Sequence, residues 1–353
     1  MSRINAINLF SEGLNSNGMN LMSYLAQQGK EEAVENLIRM GGRPEDAIYG
    51  YALAGNDAQV ESVLAMVESS DKSKLPVCTG QLIKGNARAG YFEKIYALSN
   101  YKDYLSDFVV GLAQAGDRDK VTGLLDKNIT WFGSAVEGYA SANHRDLLSK
   151  LIKGTTYYPA AIYHAAHAGH TALVNDLLLQ CGIAATDQIA PSLTGSLPDR
   201  PASFEELNRY SYLNKAMEGY IAGLHFSDAI ALLARGASIT LCISELKDSH
   251  GLPSKDLYLA FLAHIDDASL REKVLKQMSG YSLVMEQLTI TEADLKELDK
   301  TIGCMASDHL NYIEAQKKLE EPTDCLETGD ISLPYIAETL CNESMVSGAK
   351  LSP

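Results

Sequence analysis

The sequence predicts an all-α solenoid of short helix-turn-helix repeats. Three observations carry that expectation. Seven segments, starting at Leu21, Ala47, Leu82, Phe108, Ala135, Ala161 and Ala216, align without gaps, and their commonest spacing is 26 to 27 residues. Each holds two stretches of helical apolar spacing around a turn. Glycine and alanine recur at the same places inside the first stretch, which marks one packing solution used repeatedly.

Residues 1–20 precede the first copy and read as an amino-terminal cap, and 21–238 as the repeats. Counting each start as position 1, Ala47, Ile48, Tyr51 and Ala52 follow the i, i+1, i+4, i+5 pattern of a first helix, and Val60, Val63 and Leu64 restart it in a second. The turn at position 9 carries Gly29, Gly55, Gly90, Gly116 and Gly169, with Asn143 in the fifth copy, the residues that best accept positive φ. A polar residue after it, such as Asp57, Asp117 or Thr171, is suited to cap the second helix.

Position 4 is glycine in five copies, at Gly50, Gly85, Gly111, Gly138 and Gly219, although each costs about 1 kcal/mol against alanine in a helix. With alanine two residues on, this predicts close approach of neighbouring helices along a nearly bare stripe. Two steps depart from the period. One carries an insertion whose polar Glu68–Lys74 stretch reads as a loop. The other leaves 182–215 irregular, because Pro191, Pro198 and Pro201 interrupt any helix there.

The sixth copy, Ala165–Gly182, resembles the helix-turn-helix half of an ankyrin repeat, AAxxGHxxxVxxLLxxG, and Ala222–Gly236 is similar to its second half. The resemblance covers about 21–236. The Thr-Pro-Leu-His start of ankyrin repeats is replaced by Ala160-Ala-Ile-Tyr163, and the period falls short of about 33 residues, so the resemblance implies a shortened or missing β-hairpin finger. Short divergent arrays of this kind also look like those in effectors of intracellular bacterial pathogens.

Residues 239–319 read as helical over Leu257–Leu262 and Leu270–Met278, with a capping box at Thr291–Asp294. They would form either a cap on the repeats or a small separate helical domain. The acidic, proline-containing 320–353 reads as an extended or disordered tail.

The formal charge of −15 argues against nucleic acid, whose phosphates are bound mainly through Lys and Arg, and suggests a partner with basic groups. No run of 18 apolar residues occurs, so no membrane span is expected, and the first residues lack the apolar stretch of a secretory signal. The expected location is therefore the cytoplasm or, from the effector resemblance, a host cell reached without such a signal. Six scattered cysteines without CxxC spacing read as reduced, inert thiols.

No catalytic motif, metal site or cofactor is expected. His164, His167 and His170 lie three apart, but no cysteine or carboxylate nearby completes a ligand set. His144, His170 and His225 share position 10, as the ankyrin-like histidine does, and read as structural hydrogen-bonding residues. Tyr51, Tyr139 and Tyr220 share position 5 and read as packing.

Positions 3 and 7, by contrast, change freely from copy to copy. They lie i, i+4 on one helix face and would form two columns along the array. In ankyrin-like stacks the first helix lines the concave face, so the resemblance implies a groove. Tyr49, Leu53, Lys84, Arg88, Val110, Gln114, Glu137, Tyr163, His167 and Glu218 are its candidate partner-binding residues, and the partner expected is a protein, which the effector resemblance implies is a host protein or a second effector. Two alternatives stand beside this: an enzyme with a divergent site near 240–320, and a self-associating scaffold.

Overall fold

The computed structural model describes residues 19–39, 42–184, 204–239, 255–265 and 267–279. Among these the protein is all-helical, with no β-strand. All lie in the first of two units, Met1–Asp299 and Lys300–Pro353. In chain order the helices are α1 (Leu21–Gln27), α2 (Glu31–Arg39), α3 (Pro44–Ala54), α4 (Asp57–Ser70), α5 (Leu75–Ala89), α6 (Phe92–Tyr96), α7 (Leu105–Gln114) and α8 (Arg118–Leu125). They continue as α9 (Phe132–Ser141), α10 (Arg145–Ile152), α11 (Tyr158–His167), α12 (Thr171–Gln180), α13 (Phe204–Ala222), α14 (Phe226–Ala234), α15 (Lys255–Ala263) and α16 (Ala268–Ser279). From α1 to α14, odd numbers are first helices and even numbers second helices of the seven copies.

One backbone lock ends every first helix. The position-9 residue turns left-handed, with φ of 58° at Asn143 and 74° at Gly55. The position-10 N–H then donates to the position-5 carbonyl: Lys30 to Leu25, Asn56 to Tyr51, Tyr91 to Asn86, Asp117 to Leu112, His144 to Tyr139, His170 to Ala165 and His225 to Tyr220, all at 2.8–3.0 Å. This closure satisfies carbonyls the helix leaves orphaned. In the last copy Leu224 takes the turn at φ 60°, a costly place for a branched side chain.

The caps of the second helices follow the sequence expectation at Asp117 and depart from it at Asp57 and Thr171. Asn56 accepts from the Gln59 N–H at 3.3 Å and Asp117 from the Lys120 N–H at 3.1 Å. Asp57 and Thr171 instead join neighbouring copies: Asp57 pairs with Lys94 at 2.6 Å, and the Thr171 hydroxyl donates to Asp228 at 2.9 Å. Both insertions also need correction. Glu68–Lys74 is no loop, since α4 runs on to Ser70 and a 3-10 turn at Lys72–Lys74 leads straight into the fifteen-residue α5. The irregular stretch is shorter than 182–215, because α13 already begins at Phe204, beyond the last of the prolines.

Consecutive first helices pack on one another in a row, from α1 on α3 through to α11 on α13, and each also packs on its own second helix. Position 2 fills the interior at every step, with Met22, Ile48, Ile83, Val109, Val136, Ile162 and Met217 wholly buried. The glycine stripe sets the spacing. A Cβ on Gly111 would lie 2.3 Å from the Lys84 carbonyl oxygen and 2.7 Å from the Ala87 Cβ. On Gly50, Gly138 and Gly219 it would meet the carbonyls of Ser23, Val110 and Tyr163 at 2.1, 2.5 and 2.3 Å. First helices therefore touch backbone to backbone, and that contact offsets the helix cost of glycine. In the sixth copy His164 stands where the glycine would be.

Leu257–Leu262 and Leu270–Met278 fall within α15 and α16 as the spacing predicts. The Thr291–Asp294 capping box and the 320–353 tail lie outside the described residues.

Candidate functional site

Positions 3 and 7 project from the same face of each first helix, one turn apart. Straight rows of helices 8–10 Å apart would separate alternate copies by roughly 16–20 Å. Side chains from alternate copies nevertheless meet. The Tyr49 hydroxyl of α3 donates to the Gln114 Oε1 of α7 at 2.9 Å, and Lys84 of α5 approaches Glu137 of α9 at 3.7 Å. Long side chains thus bridge a whole copy on this face.

A continuous donor chain runs through the columns. Arg88 Nη1 donates to the Tyr49 oxygen at 2.8 Å, Tyr49 donates to Gln114, Gln114 Nε2 donates to Ser141 Oγ at 3.2 Å, and Ser141 donates to the Gly138 carbonyl at 3.2 Å. Each bond polarises the next in such a chain. The Lys84 ammonium lies 5.7 Å from the centre of the Tyr49 ring.

The structure links Tyr49, Lys84, Arg88, Gln114 and Glu137, and Tyr163 with His167, and the predicted residues differ in access. Tyr49, at 4% exposure, Gln114, at 6%, and Val110 are buried and belong to the frame. Leu53, Lys84, Arg88, Glu137, Tyr163, His167 and Glu218 are half-buried, open on one side to solvent. Tyr163 and His167 stack with rings nearly parallel, 6.1 Å apart, and Glu218 forms an ion pair with Lys215.

Asp46 and Asp107, one turn before position 3 on the same face, escaped the sequence reading. Burial, opposed by Arg43 and reinforced by Glu45, pushes the Asp46 carboxyl up to about 6. Burial also raises Asp107, against the pull of Lys84. The signal in the sequence was their place at i−3 to position 3, which the count from position 1 left out. His167 is half-open yet crowded: burial, helped by the charges of His164, His225, Lys84 and Arg43, pushes it down to about 3.

The position-10 histidines are structural where the geometry is complete. His144 Nε2 lies 2.9 Å from the Gln114 carbonyl, and His170 Nε2 lies 2.9 Å from the Ser141 carbonyl. Each reaches the end of the preceding first helix. His225 takes the same place beside His167, but its Nε2 is buried without a hydrogen-bond partner.

A second surface lies where one copy passes to the next. Phe132 and Tyr157 pack with ring centres 4.6 Å apart, and Tyr96 meets Tyr101 edge-on at 5.6 Å. Ile129 is 68% exposed and Tyr96 53% exposed. Sequence reasoning weighed the tyrosines at helix positions only and missed this edge.

Among the described residues no group of His, Cys, Asp or Glu is arranged to hold a metal ion, and no helix is long and apolar enough to cross a membrane. Cys78 and Cys181 are free thiols, and burial pushes both up to about 11, which leaves them un-ionised near neutrality. A scan against protein-family models and a search of curated proteins found no match for this chain.

Proposed function

We propose that the row of helix pairs is an ankyrin-like α-solenoid that binds a partner protein along the inner face of its first helices. The contacts between alternate copies, Tyr49 with Gln114 and Lys84 with Glu137, are the observation that carries this reading. Glycine at position 4 lets first helices touch backbone to backbone, and a wider spacing of the second helices would bend the row towards the face of positions 3 and 7. On that face the framework is self-satisfied, while Leu53, Arg88, Glu137, Tyr163, His167 and Glu218 keep one side open. Aromatic and arginine side chains set in a partly desolvated hollow are what binding hot spots require.

The test is site-specific photo-crosslinking from the full chain in its own cellular extract. A photoreactive residue at Leu53, Tyr163 or Glu218 is compared with one at the exposed Glu61 or Thr122 on the second helices. The proposal expects one partner protein, captured from the inner positions only. Capture from the second-helix positions alone would overturn it.

A further inference from the structure

Four of the eight histidines in the chain cluster at one end of the row, in the sixth and seventh copies. His164 replaces the glycine of the other junctions and lies half-buried against the edge of Tyr163, with ring centres 5.3 Å apart. His167 lies on the other side of Tyr163, stacked at 6.1 Å. His170 is buried, with its Nε2 on the Ser141 carbonyl. His225 packs so closely on the turn before it that a Cβ on Gly169 would lie 2.5 Å from its ring. Its Nε2 is the buried atom without a hydrogen-bond partner.

We propose that the sixth and seventh copies form an acid-labile end of the row, where protonation of His164, His167, His170 and His225 unpacks α11–α14 while the second to fourth copies stay folded. The imidazoles fill space between packed helices, and the backbone carbonyls beside them, Ser141 at His170 and His167 at His225, favour protonation without outweighing burial. The charges facing them do not compensate. Glu137 of α9 favours protonation of His164 and Asp228 of α14 that of His225, whereas Lys84 of α5 opposes it at His164 and His167, Arg43 at His167, and Arg145 of α10 at His170. Burial opposes it at all four and is the largest cause at each.

The sign follows from linkage. A histidine held below its unfolded value contributes stability that is whole above about pH 6.5 and lost as pH falls below it. The other end of the row responds oppositely. Asp46 in the second copy and Asp107 in the fourth are held above their unfolded value, so acid favours the folded state there. In stacked repeats stability is local to each copy and its neighbours, so the two ends can answer separately.

The test is hydrogen exchange of the full chain at about pH 7.5 and about pH 5.5, corrected for the intrinsic exchange rate. One fully suppressed histidine weakens protection about tenfold at the lower pH, so α11–α14 lose about tenfold or more while α3–α8 lose none. The double variant His164→Gln, His225→Asn, the second change borrowing the residue of the second copy at Asn56, retains more protection at the lower pH. A uniform change along the chain, or an unaltered loss in the double variant, would overturn the proposal. Should that variant not fold, the contrast between the two ends in the unaltered protein decides the matter alone.

Discussion

At the residue scale the turns are the most legible part of the molecule. Position 9 needs a left-handed backbone in every copy, and the replacement of glycine by Asn143 is the substitution physics allows most cheaply. Asn143 is exposed, so its replacement tests conformation with little change in packing. Asn143→Ala is expected to lower stability by about 1 kcal/mol and Asn143→Gly to leave it equal or higher, measured by urea denaturation. Asp46 offers a second test at this scale. Its carboxyl keeps a proton in the folded state between the unfolded value of 3.8 and about 6, so the stability it contributes is full at acid pH and lost as pH rises through that window. Asp46→Asn is therefore expected to raise stability by about 1–2 kcal/mol near neutrality and to change it little below the window. Denaturation midpoints across pH would check this. Burial at individual residues of this face was not legible beforehand, because Tyr49 is held by Arg88 and Gln114, side chains 39 and 65 residues away.

At the element scale one chemical change should act in opposite directions. Gly111→Ala adds a Cβ 2.3 Å from the Lys84 carbonyl oxygen, where α7 meets α5 and neither backbone can yield cheaply. It is expected to cost about 1–3 kcal/mol despite the better helix propensity of alanine. In Gly123→Ala the new Cβ meets nothing within 4 Å, and the variant is expected to gain about 0.5–1 kcal/mol. Thermal or urea denaturation of the two variants side by side distinguishes packing from propensity. The glycine stripe announced this in the sequence because a residue so costly in a helix recurred at one position. The helix ends announced less. The polar 68–74 stretch looked like a loop, yet its serines and lysines are neutral enough in propensity for α4 and the following turn to continue through it. Likewise, a cap depends on which oxygen reaches the free N–H groups, and at Asn56 that is the residue before the acidic one.

At the scale of the whole molecule, the period and the alternation of helices were legible because each copy repeats the same local solution. Which copies meet across the row was not, since no single repeat encodes curvature. In the proposed solenoid, curvature would arise from a difference between first-helix and second-helix spacing summed over several steps. The inner face, the proposed binding surface and the crowding of His167 all depend on that sum. Its most direct test is the coupling between two residues from alternate copies, Tyr49 and Gln114, that meet on this face. A double-mutant cycle on Tyr49→Phe and Gln114→Ala, read by urea denaturation of the full chain, tests it. The account predicts an interaction energy of about 1 kcal/mol or more, since the hydroxyl and the amide are buried partners at 2.9 Å. Strict additivity of the two substitutions would contradict the bridging of alternate copies, and with it the inner face.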